Sequence, residues 1–316
     1  TGSPSTSETT MPETLPLDGK VTAKSRLEPL VALAALDRQT VEGDLTLDLR
    51  IEGTVARPQV TGKLDIANGR IADALSGIIL RDLTVALVGQ GDRLVVERFT
   101  ASDPAQGRLT LEGNVGIDPD QAFPYTLELK TTDLRVLDSD LGRATVTADL
   151  KAEGTTDKGK TSGRITVPRA DLRLPSGGAV QPVTLDVEVR GAPPPAQPAT
   201  SGTTSGPSTM ALDIDIDMPA RIFVRGRGLD TEWGGSLDVT GTAREPRIEG
   251  TISYRRGFLD FLDRRFDIRT GRVTFTGGSP PIPDIDLEAA AQGGSITAII
   301  RLAGPATQPE FAMSSE

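Results

Sequence analysis

The acidic residues that alternate along two apolar segments are the first candidates for chemistry in this chain. They are Asp213, Asp215 and Asp217 in the first segment, and Asp284, Asp286 and Glu288 in the second. A Ca²⁺ ion takes oxygen ligands at about 2.3–2.6 Å, whereas side chains two residues apart on a straight strand are separated by about 6.5–7 Å. A metal site would require a bent loop, and the alternation favours the wet face of a strand instead.

The residue types that are absent restrict the chemistry further. The sequence contains no histidine and no cysteine. This excludes Ser–His and Cys–His nucleophiles, acid–base catalysis by histidine and Cys/His metal sites. Carboxylates or lysines could still serve an enzyme, but their arrangement carries no catalytic motif. We therefore predict that the protein is not an enzyme, and that it holds no metal and no cofactor.

Two short features resemble binding motifs. Gly226-Arg227-Gly228 lacks the following helix and the Lys-Ser/Thr pair of a phosphate-binding loop, so we interpret it as a turn. Trp233 is the single tryptophan, and we expect it to anchor a rim or edge rather than to stack on a ligand. The net charge of −10 opposes general binding to nucleic acid, which depends on lysines and arginines that neutralise phosphates.

The elements that position these residues are short strands. Apolar and polar residues alternate through most of the chain, as in Leu45-Thr-Leu47-Asp-Leu49-Arg-Ile51, which predicts one dry and one wet face. Hydrophobic residues make up 37% of the sequence and aromatic residues only 3%, so the dry face is aliphatic. From this pattern alone, a closed sandwich or barrel with a packed interior is favoured.

Composition divides the chain into five parts. Residues 1–16 are predicted to be a disordered tail of cloning or linker origin, and 17–40 a linker followed by an amphipathic helix from Arg26 to about Arg38. We interpret that helix as a cap over a sheet edge in preference to a membrane-surface helix. Residues 41–190 and 210–316 are predicted to be strands, separated by a flexible Pro/Ser/Gly loop at 191–209.

One type of corner recurs between the predicted strands. Gly53 is followed by Pro58, Gly241 by Pro246, and each pair stands between two alternating segments. Gly304 and Pro309 repeat the spacing, and weaker copies begin at Gly113 and Gly154. Glycine allows a tight backbone and proline opposes a helix, so the repeat predicts a β-meander with one recurring turn.

An ordered series of residues in the C-terminal third carries a resemblance to a known family. The series runs Pro246-x-Ile248-x-Gly250, Arg255-Arg256-Gly257, Phe261-Leu-x-Arg-Arg-Phe266-x-Ile268-x-x-Gly271-x-Val273-x-Phe275-x-Gly277 and Pro283-x-Ile285-x-Leu287-x-Ala289. It resembles the C-terminal region of the TamB family, which belongs to the AsmA-like group of bacterial cell-envelope proteins. The similarity is most specific over 221–312 and looser from 27 to 190.

The resemblance implies an all-β fold in which an antiparallel or mixed sheet curls into an elongated β-taco trough with a lengthwise hydrophobic groove. About 16–18 strands at about 4.8 Å spacing predict a body on the order of 75–85 Å long. The dry-face residues expected to line the groove are Leu47, Leu49, Ile66, Leu87, Leu111, Leu129, Val146, Val187, Ile214, Ile216, Val239, Ile252, Phe275, Leu287 and Ile300.

The resemblance also implies a function. It predicts a periplasmic bridge segment whose groove holds phospholipid acyl chains and carries phospholipids between the inner and outer membranes. The full-length protein is then expected to be anchored in the inner membrane by an N-terminal helix upstream of this sequence, and to work with a TamA-like outer-membrane barrel. The alternative is an assembly or translocation factor for outer-membrane β-barrel proteins and autotransporters, acting with TamA.

Overall fold

The computed structural model describes residues 15–29, 39–174 and 209–316. These ranges form sixteen strands, and within them only Glu28 and Pro29 are helical. The strands are β1 (Pro16–Arg26), β2 (Gln39–Thr54), β3 (Pro58–Asp73), β4 (Ile79–Gly91), β5 (Arg93–Ser102), β6 (Arg108–Gly116), β7 (Tyr125–Ser139), β8 (Gly142–Gly154), β9 (Lys158–Arg173), β10 (Thr209–Gly226), β11 (Leu229–Gly241), β12 (Pro246–Phe261), β13 (Arg264–Thr276), β14 (Asp284–Gly293), β15 (Ile296–Pro305) and β16 (Glu310–Ser315). The prediction of an all-β fold is confirmed.

All described strands belong to one sheet whose spatial order follows the chain from β1 to β16. Neighbours are antiparallel except β9 and β10, which run parallel, so the sheet is mixed. The sheet is open and curled, and β1 and β16 are its two ends. The closed sandwich or barrel that alternation alone favours is therefore not what the described strands form. At about 4.8 Å per strand, the sheet extends on the order of 75 Å.

The turns lie along two long rims. Because consecutive strands run in opposite directions, successive turns alternate between the rims, and the parallel β9–β10 pair shifts this alternation by one strand. The turns after β2, β8, β11 and β15 all lie on one rim, which we call the corner rim. The turns after β3, β7, β10 and β12 lie on the other, which we call the far rim.

The recurring Gly–Pro corners all lie on the corner rim. Positive φ angles occur at Gly53 (96°), Gly241 (82°) and Gly304 (102°), values that glycine adopts far more readily than other residues. The turn after Gly53 is closed by the amide of Arg57 on the carbonyl of Thr54 at 3.1 Å, and Thr242–Glu245 and Pro305–Gln308 close in similar ways. The predicted recurring turn is confirmed at these corners.

Other boundaries differ from the predictions or fall outside the described residues. A linker was expected from residue 17, but Pro16–Arg26 form β1 and pair along their whole length with β2. The predicted amphipathic helix falls mostly on residues 30–38, and the predicted loop at 191–209 mostly on 191–208. These residues lie outside the described ranges, as do most of the predicted tail and residues 175–190 of the predicted strand region.

Candidate functional site

The pairing register determines which face of the sheet each predicted lining residue occupies. In the first strands, Leu47 lies opposite Leu64, which lies opposite Leu87. Directly opposed residues project to the same side of a sheet, as do residues two apart on one strand. Leu49 and Ile66 therefore lie on the same side as Leu47 and Leu87. We call this side the inner face and the opposite side the outer face.

The inner face continues without interruption through the middle of the sheet. One row of directly opposed residues crosses six strands and consists of Leu111, Leu129, Leu150, Gly163, Ile214 and Val239. The row joins the first strands through Gly113, which opposes Val96, since Val96 in turn opposes Leu87. Val146 belongs to the same face because it lies four residues before Leu150 on β8.

The remaining predicted residues extend the inner face to the C-terminal strands. Ile216 follows Ile214 by two residues, and the other members pair as Ile252 with Gly235, Phe275 with Gly250, Leu287 with Gly271 and Ile300 with Ala289. All predicted lining residues within the described ranges thus share one face. Val187 lies outside those ranges.

The inner face divides into two segments that differ in burial. Over β2–β8, which we call the open segment, most aliphatic side chains are half-buried, including Leu47, Leu87 and Leu129, and a small buried cluster contains Leu83, Val85 and Ala101. Over β9–β15, which we call the packed segment, nine apolar side chains are only 0–8% exposed. The packed residues are Ala170, Met218, Ile222, Trp233, Phe266, Ile268, Leu287, Ala289 and Ile300. Nearer the corner rim, side chains of the same strands and face are half-buried, as in the open segment; examples are Ile214, Val239 and Phe275.

A contact between distant strands accompanies this packing. The rings of Phe261 on β12 and Phe311 on β16 lie with their centroids 6.2 Å apart, and Phe261 also meets Phe266 edge-on at 6.5 Å. Strands β12 and β16 are separated by three others in the sheet, a distance of about 19 Å along it. The sheet must therefore curl strongly at this end to bring the rings together.

Trp233 lies within the packed segment, so the expectation of a rim or edge anchor is wrong. It is 7% exposed, its Nε1 donates a hydrogen bond to Thr231 Oγ1 at 2.8 Å, and its ring meets Tyr254 edge-on at 6.0 Å. A Cβ placed on Gly271 would approach the indole to 2.9 Å. In the sequence, only Gly271, a member of the family-like series, indicated that a bulky side chain packs against this part of β13.

The outer face carries ion pairs. Asp213 pairs with Lys160 at 2.7 Å and Asp215 with Arg164 at 3.3 Å, across the parallel β9–β10 pair. The two carboxylates lie on the solvent-facing side of β10, as the alternation predicted, and each is paired with a cation of the neighbouring strand β9. Gly226-Arg227-Gly228 connects β10 to β11 with positive φ at all three residues, as a turn does.

The perturbed carboxyl groups of the outer face are held in the charged form. Hydrogen bonds from Arg143 and Arg135 lower the pKa of Asp138. The side chain of Arg256 and the backbone amide of Arg221 lower the pKa of Glu232, which is largely buried. A general acid at neutral pH needs the opposite shift, so these groups are ion-pair partners that stabilise strand neighbours.

Within the described ranges, no group of three or more acidic residues could hold a metal ion. The same ranges contain no helix that is both long and apolar enough to cross a bilayer. The candidate functional site is therefore the inner face, which is a continuous apolar surface lined by aliphatic side chains.

Comparison with known families bears on this surface. A family model described as the TamB C-terminal domain matches residues 97–316. The match begins within β5 and continues to the last strand, so it covers most of the chain and includes the whole packed segment.

Proposed function

Because the chain belongs to the TamB family, whose members act in the Gram-negative cell envelope, we propose that its inner face binds the acyl chains of phospholipids and carries these lipids between the inner and outer membranes. The chain is then a periplasmic segment of a bridge whose full-length form is anchored in the inner membrane. The observation that supports this most is the unbroken inner face, with half-buried aliphatic side chains along the open segment.

The side chains of the open segment suit a sliding lipid. Burial of each CH₂ group contributes about 0.8 kcal/mol, so a chain of about 16 carbons that buries half of its methylenes gains on the order of 6 kcal/mol. Part of that is lost to immobilisation, which leaves a moderate affinity. Leucine, isoleucine and valine form no hydrogen bonds through their side chains. An acyl chain can therefore slide along them without a strongly favoured position. Headgroups stay in water along the opening, and no catalysis is needed.

The test introduces an aspartate on the inner face of β2 in one variant and on its outer face in another. Leu47 is half-buried on the inner face, and its neighbour Thr46 is exposed on the outer face. We expect Leu47→Asp to abolish phospholipid co-purification, measured by native mass spectrometry and lipid extraction, because a carboxylate in the groove repels the chain. Thr46→Asp is the matched control and keeps the wild-type lipid content. Circular dichroism verifies that both variants retain their strands. Equal lipid content in the two variants contradicts the proposal.

A second function is favoured by the exposed apolar side chains of β16. All residues of β16 are exposed, and Phe311 and Met313 are each 55% exposed. Such side chains can contact an incoming strand, which is what an assembly factor for outer-membrane barrels and autotransporters would do together with a TamA-like barrel. A photo-crosslinker at Met313 that captures a barrel precursor, in a preparation free of phospholipid, supports this function over lipid transport.

A further inference from the structure

We propose that the buried cluster of the packed segment closes the far-rim side of the groove to acyl chains, so that beyond β9 a lipid is confined to the half-buried side chains nearer the corner rim. This inference rests on the proposed function and locates its ligand. The residues that hold the closure are Trp233, Gly271, Phe261 and Phe311.

The buried cluster of the packed segment leaves no surface for a ligand on the far-rim side of the inner face. Ala289 is 0% exposed, Ile300 2% and Phe266 4%. A hydrocarbon chain gains free energy by removing exposed apolar surface from water, and these side chains have none to remove. The half-buried side chains of the open segment do, and so do those nearer the corner rim in the packed segment, such as Ile214 and Val239. In the packed segment the inner face therefore offers binding surface over only part of its width.

The contact between Phe261 and Phe311 forms a bridge over the rows that lie between them. Phe311 opposes Leu302 in the row of Leu287, whereas Phe261 lies beyond Leu259 toward the far rim. The row between these positions contains Ile268, Ala289 and Ile300 in direct opposition. These are among the least exposed side chains of the molecule, as expected of residues beneath such a bridge.

Trp233 is fixed in place rather than loosely packed. Its Nε1 donates to Thr231 Oγ1, and the Thr231 hydroxyl donates to the carbonyl of Val224 at 3.2 Å. Thr231 is itself only 1% exposed. Because Gly271 carries no side chain, the indole fits against β13, where any larger residue would displace it. An acyl chain therefore does not readily displace the Trp233 ring.

The single tryptophan makes this inference measurable. The full chain is incubated with vesicles of phosphatidylcholine that carries dibrominated acyl chains, since bromine quenches an indole that it contacts. We expect the emission of Trp233 to be unchanged. A second protein combines Leu47→Trp with Trp233→Phe, which moves the indole to the open segment, and its emission is expected to fall by at least half. Circular dichroism establishes that the second protein is folded.

The outcomes separate the two proposals. Quenching at position 47 but not at 233 supports the closure. Equal quenching at both positions overturns the closure and leaves lipid binding intact. Quenching at neither position refutes lipid binding itself.

A variant tests the bridge directly. Phe311→Ala removes one ring from an exposed edge strand, and we expect it to make Trp233 accessible to the brominated chains. The matched control is Met313→Ala, which shortens an equally exposed side chain on the same strand and leaves Trp233 unquenched. If Phe311→Ala leaves Trp233 as protected as in the wild type while position 47 is quenched, the bridge is not what closes the groove.

Discussion

Replacement of Gly163 by alanine tests how the strands are held against one another. Gly163 lies on the inner face of β9 between Leu150 and Ile214, with a φ of 139° that residues with a Cβ rarely adopt. Strain at such a position costs on the order of 1–3 kcal/mol. An added Cβ would also lie 2.1 Å from the carbonyl oxygen of Asp149 on β8. Moving β8 away weakens ladder hydrogen bonds worth about 1 kcal/mol each.

These contributions predict a loss of about 3 kcal/mol for Gly163→Ala. The assay is urea unfolding followed by circular dichroism, where the loss lowers the midpoint by about 1 M or more. Gly19→Ala on β1 is the matched control, because an added Cβ there has nothing within 4 Å. Its effect should stay within about 1 kcal/mol. If the two midpoints coincide, the close approach of β8 and β9 is not what requires glycine at this position.

Three further predictions concern single side chains. Ile300→Ala should cost about 2–5 kcal/mol in thermal unfolding because Ile300 is 2% exposed, whereas Ile296→Ala, at a site 57% exposed, should cost much less. The carboxylate of Asp103 is 4% exposed and accepts hydrogen bonds from three backbone amides, so Asp103→Ala should cost about 2–4 kcal/mol in the same assay, and an unchanged melting temperature would contradict this. Arg256 lowers the pKa of Glu232, so their pairing stabilises the fold above the ordinary glutamate pKa of about 4.3 and fades as pH falls through the lower folded value. The stability gap between wild type and Arg256→Gln, measured by urea unfolding from pH 7 down to pH 3, should therefore shrink in acid, and a constant gap would refute the pairing.

The alternation of apolar residues predicted which side chains share a face within an uninterrupted strand, as for Leu47 and Leu49 on β2. A bulge adds one residue and shifts the alternation, so that Ile268 and Gly271, three residues apart on β13, lie on the same face. The recurring corner at Gly53 was also predictable, since glycine permits the positive φ of the turn and proline opposes a helix after it. The sequence pattern therefore predicted most of the described strands and the recurring turn.

What the sequence could not show depends on distant contacts. The segment Pro16–Arg26 carries few apolar residues and resembles a linker, yet it becomes a strand because the backbone of β2 offers it a full row of partners. Phe261 and Phe311 are far apart in the chain, and only the curl of the sheet brings them together. The division of the inner face into an open and a packed segment follows from that curl, so no local pattern could reveal it.

The strictly sequential strand order has a consequence for how such proteins change in evolution. In the described sheet, the neighbours of each strand are its predecessor and its successor among the described strands. Duplication of one hairpin would lengthen the body by about 10 Å and leave the cross-section and every other ladder as they were. Genetic gain or loss of hairpins can thus adjust the length of the sheet in regular steps of two strands.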